Sequence, residues 1–198
     1  MSEYILDIGE CYDNRRMKLC LSYLHQLGLV QKNIFGKFGG QNVDLLNVSG
    51  KSLKTVSLLN LATVSLFLDY VGKLFDTPTY ELMKNDDFSN LPFWQESLWV
   101  PLEFSPSKVF ERDRDGPFFF GSAPRLLLTL NKVKKLSRIP LGKVPEGYEQ
   151  MVQDYDLFIE KFDGFSDNSS CIQWVWKCLH YATEIAMQNS LPLLRFGL

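Results

Sequence analysis

The sequence predicts a mainly helical α+β domain: helices throughout, with a small antiparallel β or irregular Pro-rich segment around residues 88–123. Two observations carry that expectation. Apolar residues recur at helical spacing over most of the chain, with turn formers between the stretches. Segment 88–123 breaks the pattern: Pro92, Pro101, Pro106 and Pro117 separate short runs such as Leu98-Trp99-Val100 and Phe118-Phe119-Phe120. There is no internal repeat and no Gly/Ser linker, and the chain is 198 residues long, so residues 1–198 read as a single globular domain.

The first helix is expected from Asp13, whose short carboxylate suits an N-cap, to Gly28, which suits the residue just past a helix end. Met17, Cys20, Leu24 and Leu27 form its apolar face. Residues 35–42, rich in Gly and Asn, read as a loop. A second helix is expected over Leu53–Phe75, apolar nearly all round and hence central. Pro78 starts a short helix through Asp87. Beyond the proline-broken segment, Ala123-Pro124 opens a helix to Arg138, with Leu126, Leu127, Leu130 and Val133 turned inward. Two more follow, over Glu146–Phe162 and Ser170–Asn189, and the apolar tail Leu191–Phe196 packs back onto the body.

Several chemistries find no support. Gly50-Lys51-Ser52 resembles the end of a phosphate-binding loop, but the Gly needed five positions earlier is Leu45. Gly36, Gly39 and Gly40 miss the dinucleotide spacing. His25 and His180 lack the company a zinc site needs, and Cys171 and Cys178 are seven apart rather than three, so neither metal nor cofactor is expected. Four cysteines at these spacings read as reduced thiols. His180 and Glu184 stand four apart on one helix and read as a structural pair. No nucleophile elbow occurs. The start, Met1-Ser2-Glu3-Tyr4, is unlike a secretory leader, and Leu53–Leu74 is too interrupted by charge to span a bilayer, so a cytoplasmic protein with no membrane contact is expected.

Charge placement is the feature with physical content. The net charge is -2, which counts against nucleic acid as a partner. Between Asp115 and Glu146 there is no acidic residue, whereas Arg125, Lys132, Lys134, Lys135, Arg138 and Lys143 are all basic. The next stretch reverses sign. At 100° per residue Glu146, Glu149, Asp156, Glu160 and Asp163 share one arc of about 100°, beside an apolar arc made by Tyr148, Met151, Val152, Tyr155, Phe158, Ile159 and Phe162. Like charges so placed repel mildly, by a few tenths of a kcal/mol per pair, so some compensation is expected. Either the preceding basic helix packs against the ridge, or solvent screens it, or a cationic partner meets it.

The expected function is therefore a non-catalytic protein-binding domain that holds a basic protein through Glu149, Asp156, Glu160 and Asp163, aided by aromatics such as Trp94 or Trp99. A toxin-neutralising immunity protein, whose target is basic because it acts on nucleic acid, is one concrete form. The alternative is a small enzyme whose carboxylate or Cys–His site is assembled from distant segments. The alternating charges of Glu111–Asp115 read as a solvated turn.

Overall fold

The N-terminal and C-terminal strands lie side by side near the middle of a six-stranded mixed sheet. The computed structural model describes residues 3–46, 53–111, 116–161 and 168–197. Its strands are β1 (Glu3–Ile8), β2 (Gln31–Lys32), β3 (Phe38–Gly39), β4 (Lys54–Asn60), β5 (Ser97–Val100), β6 (Lys108–Phe110), β7 (Phe118–Ser122) and β8 (Leu193–Gly197). Its helices are α1 (Asn14–Gln26), α2 (Leu61–Leu74), α3 (Thr79–Leu82), α4 (Ala123–Leu136), α5 (Tyr148–Lys161) and α6 (Asn168–Gln188). The sheet runs in the order β4-β1-β8-β5-β7-β6. Neighbours are antiparallel except β5 and β7, which are parallel; β2 and β3 form a separate hairpin.

This corrects the expected fold class. The chain is α+β with a central sheet rather than mainly helical, and segment 88–123 contributes β5, β6 and β7 to that sheet instead of a small separate layer. The reason lies in burial on both sides. Every residue of Ser97–Val100 and of Phe118–Ser122 is buried, so these strands show no polar alternation and read as short apolar runs. The expected helix over 53–75 is also corrected: Lys54–Asn60 is a strand, with Val56 and Leu58 buried at period two. Asn60 then starts α2 through a reciprocal cap, its Oδ1 accepting from Thr63 N at 3.1 Å and Thr63 Oγ1 accepting from Asn60 N at 3.3 Å.

The expected starts of α1 and α4 match the structure, whereas the loop expected over 35–42 carries β3, the short helix expected through Asp87 ends at Leu82, and β1 and β8 were not expected. Asp13 caps α1, its Oδ1 accepting from the amides of Arg15 and Arg16 at 2.9 Å, and Gly28 follows the helix at φ 74°. Ser122 caps α4, with Pro124 in the first turn. The residues Gly50-Lys51-Ser52 and Arg112–Asp115 lie outside those described.

Two apolar clusters sandwich the sheet. On one face Leu6, Leu58, Trp99, Phe119 and Leu193 pack with α2, α4 and α6. On the other, Leu98, Val100, Phe118, Phe120 and Leu194 pack with Met17, Cys20 and Leu24 of α1. Helix α6 is the principal cover of the first face: Trp176 Nε1 donates to Leu130 O of α4 at 3.0 Å, and Trp174 Nε1 donates to Ser57 O of β4, also at 3.0 Å. Helix α5 reaches the body beside α6 and the β4 edge.

Candidate functional site

Helix α5 is held by one side only. Met151 is buried, Phe158 stacks on Trp174 with ring centroids 5.2 Å apart, and Tyr155 meets the same indole at 5.4 Å. Asp154 Oδ2 accepts from Lys177 Nζ of α6 at 2.8 Å, and Lys54 Nζ of β4 lies 4.0 Å from the Tyr148 ring centroid. These contacts fix the rotation of the helix and therefore which residues it turns outward.

The outward side carries Glu149, Asp156 and Glu160, all exposed. Asp163 and Phe162 lie outside the described residues. Asp156 and Glu160 are one turn apart, about 6 Å along the axis, and Glu149 lies about 10 Å before Asp156. Among the described residues none of the three makes an ion pair. Two lysines of the basic helix, one of the candidates to neutralise them, are engaged elsewhere: α4 packs against α6, Lys132 Nζ donates to Asp87 Oδ2 at 2.9 Å, and Lys134 Nζ lies 5.0 Å from the Trp176 ring centroid. The Lys132 contact also holds the Asp87 carboxyl below its usual range.

The expected apolar arc is only partly covered. Val152 is 40% and Ile159 42% exposed, so they form a strip beside the carboxylates instead of packing inward, and Leu157 is 52% exposed on the far flank of the ridge. Beneath Val152 a cavity of about 270 Å³ opens between α5 and the β1–β4 pair, with Ile5, Ser57, Met151 and Tyr155 in its walls and Glu3 at its rim. Burial and the nearby Glu3 carboxylate raise the affinity of the Tyr155 phenol for its proton. Of the two tryptophans expected at the surface, Trp99 is wholly buried, with Nε1 donating to Asn90 O at 2.8 Å, and Trp94 is half-buried against the core. Neither adjoins α5 in sequence, and Trp99 is a core residue.

Most other reactive groups sit in the interior, but His25 of α1 is exposed. Burial pushes the thiols of Cys20 and Cys178 well up, which keeps them protonated and weakly nucleophilic. His25 Nδ1 meets Val30 O at 2.9 Å. His180 is buried between α4 and α6, with Nε2 3.0 Å from Asn131 Oδ1 and Nδ1 facing Glu184 Oε2 at 3.4 Å. Among the described residues no group of three or more His, Cys, Asp or Glu is placed to hold a metal ion, and no helix is long and apolar enough to cross a membrane. Comparison with known protein families, with characterised proteins and with solved structures finds no match for this chain.

Proposed function

We propose that the protein is a non-catalytic binding domain that holds a basic protein on the outer side of α5, through Glu149, Asp156 and Glu160. One observation carries this reading: the carboxylates are exposed and unpaired among the described residues, while Lys132 and Lys134 of the preceding basic helix face other elements. Val152 and Ile159 add an exposed apolar strip alongside, which gives a partner something to desolvate as well as something to be steered by. Asp163 belongs to the same proposal from its place in the sequence pattern. An immunity protein against a basic nucleic-acid enzyme is the concrete form this reading takes.

The test is affinity capture with the full chain, followed by titration of the captured partner against wild type and the Glu149→Lys/Asp156→Lys/Glu160→Lys variant. Each exposed substitution should change stability by under ~0.5 kcal/mol, so the variant stays folded. Its association should slow at low salt, and its salt dependence should flatten, because charge acts mainly on the encounter rate. Equal affinity and equal salt slope would remove α5 from the interface. A captured partner that degrades nucleic acid and is inhibited by the wild type would support the immunity form; one that does not would leave only the general reading.

A further inference from the structure

Among the described residues the two most exposed large apolar side chains are neighbours, Ile34 at 93% and Phe35 at 80% exposure, at the tip of the β2–β3 hairpin. They share no residue with the α5 surface. The turn that presents them is braced. Asn33 Oδ1 accepts from Phe35 N at 3.0 Å and from Lys37 N at 2.9 Å, Asn33 N donates to Lys37 O at 2.9 Å, and Gly36 N donates to Asn33 O at 2.9 Å. Gly36 takes the left-handed conformation that closes the turn, at φ 74°. At the base of the hairpin Val30 is buried, and Asn42 Nδ2 donates to Leu29 O at 2.7 Å. The tip is therefore a pre-shaped projection, with its exposure built in by side-chain hydrogen bonds.

Within the hairpin itself the charge is of one sign, the nearest acid in sequence being the exposed Asp44 just beyond it. Lys32 and Lys37 flank the tip, both exposed, and no acidic residue occurs anywhere from Asn14 to Val43. We propose that this tip docks the protein onto an anionic lipid surface, with Ile34 and Phe35 entering the headgroup boundary and Lys32 and Lys37 meeting lipid phosphates or carboxylates. Interfacial anchoring takes a few apolar side chains below a basic collar, and it needs no complementary pocket. A protein interface of ordinary size buries about 1,200–2,000 Å² and needs a wider apolar patch than two side chains on a convex turn ringed by polar groups. Surface contact of this kind is independent of any membrane-crossing helix.

The test is co-sedimentation of the full chain with vesicles of phosphatidylcholine alone and of phosphatidylcholine with about one-third phosphatidylserine, at low and at high salt. The wild type should partition onto the anionic vesicles, weakly onto the neutral ones, and less at high salt. Ile34→Ser/Phe35→Ser and, separately, Lys32→Glu/Lys37→Glu should each reduce partition at least about tenfold, with melting temperatures near that of wild type because both pairs are exposed. Absence of partition onto anionic vesicles at millimolar lipid would overturn the proposal, as would partition that neither variant weakens. A photo-crosslinker placed at position 35 that captures a protein and no lipid would assign the tip to a protein pocket instead.

Discussion

The guanidinium of Arg195 lies 4.7 Å from the centroid of the Tyr4 ring, on the adjacent strand β1, in the interior of the fold. Arg195 is fully buried, and its Nη1 donates to the carbonyls of Pro92, at 3.0 Å, and Trp94. Burial pushes the guanidinium down to about 10, which still leaves it charged at neutral pH. It ties the segment before β5 to the sheet by charge-assisted hydrogen bonds. Arg195→Met keeps most of the stem and leaves both carbonyls unmet. It should lower stability by about 2 kcal/mol, since each stranded buried acceptor costs roughly 1–3 kcal/mol and the removed charge returns part of that. Urea denaturation measures this. Stability at or above wild type would mean that desolvation of the guanidinium outweighs its hydrogen bonds.

His180 should make the fold sensitive to mild acid. Burial lowers its proton affinity most; Glu184 opposes that and Lys134 of α4 reinforces it, while Asn131 supplies a neutral hydrogen bond. With the folded value below the unfolded one of about 6.5, the unfolded chain takes up the proton first as pH falls. The stability tied to His180 is thus complete above the unfolded value and is lost as pH drops through the folded one. His180→Gln, which can still bond Asn131, should show a flatter melting temperature than wild type between about pH 7.5 and 5. Parallel curves would mean that another group governs the acid response.

Gly121 in β7 has no room for a methyl group. A Cβ there would run into the Phe119 ring and lie 2.5 Å from Asn90 Oδ1, the atom that accepts from Ser122 N at 2.8 Å at the start of α4. Gly121→Ala should therefore destabilise by about 1–3 kcal/mol, as overpacking in a close-fitted core does. Chemical denaturation beside wild type checks it, and a neutral outcome would show that Asn90 can swing away without loss of its bond.

Cys171 and Cys178 should resist thiol reagents until the protein unfolds. Both are fully buried on α6, and Cys178 Sγ contacts Ser57 O of β4 at 3.4 Å. Labelling under native conditions should proceed no faster than global opening, and should become fast in urea. Rapid native labelling of Cys178 would contradict the packing of α6 against β4.

Helices α1 and α4 were legible because they carry their own punctuation. Asp13, Ser122 and the alternation of Leu126, Leu130 and Val133 mark boundaries and faces that depend on local geometry alone. Of the strands, the apolar runs of β5 and β7 were legible as short strands, but their place inside a six-stranded sheet was not, because β8, which joins β5 to β1, comes from the far end of the chain. In Leu53–Phe75 the break was written at Asn60 and Thr63, whose reciprocal cap is a local signal hidden by the apolar residues on either side. The angular sorting of carboxylates on α5 could be worked out from position numbers. Where Lys132 and Lys134 would point could not, since that depends on α4 packing against α6. The cavity under Val152 was equally invisible, because its far wall is made by β1 and β4.

The strand order carries a kinetic consequence. Among the described residues β8 alone joins the β4–β1 pair to the β5–β7–β6 set, and it follows every other strand in the chain. Until residues 193–197 arrive, β1 and β5 each present an open edge to solvent, and the sheet exists as two unjoined pieces. Closing the gap requires Tyr4 to meet Gly197 across nearly the whole chain, the kind of distant pairing that slows folding and prolongs the life of half-built sheets. During that interval a second molecule's β8 can fill the gap in place of the chain's own, so refolding at high protein concentration should raise the yield of strand-exchanged dimers.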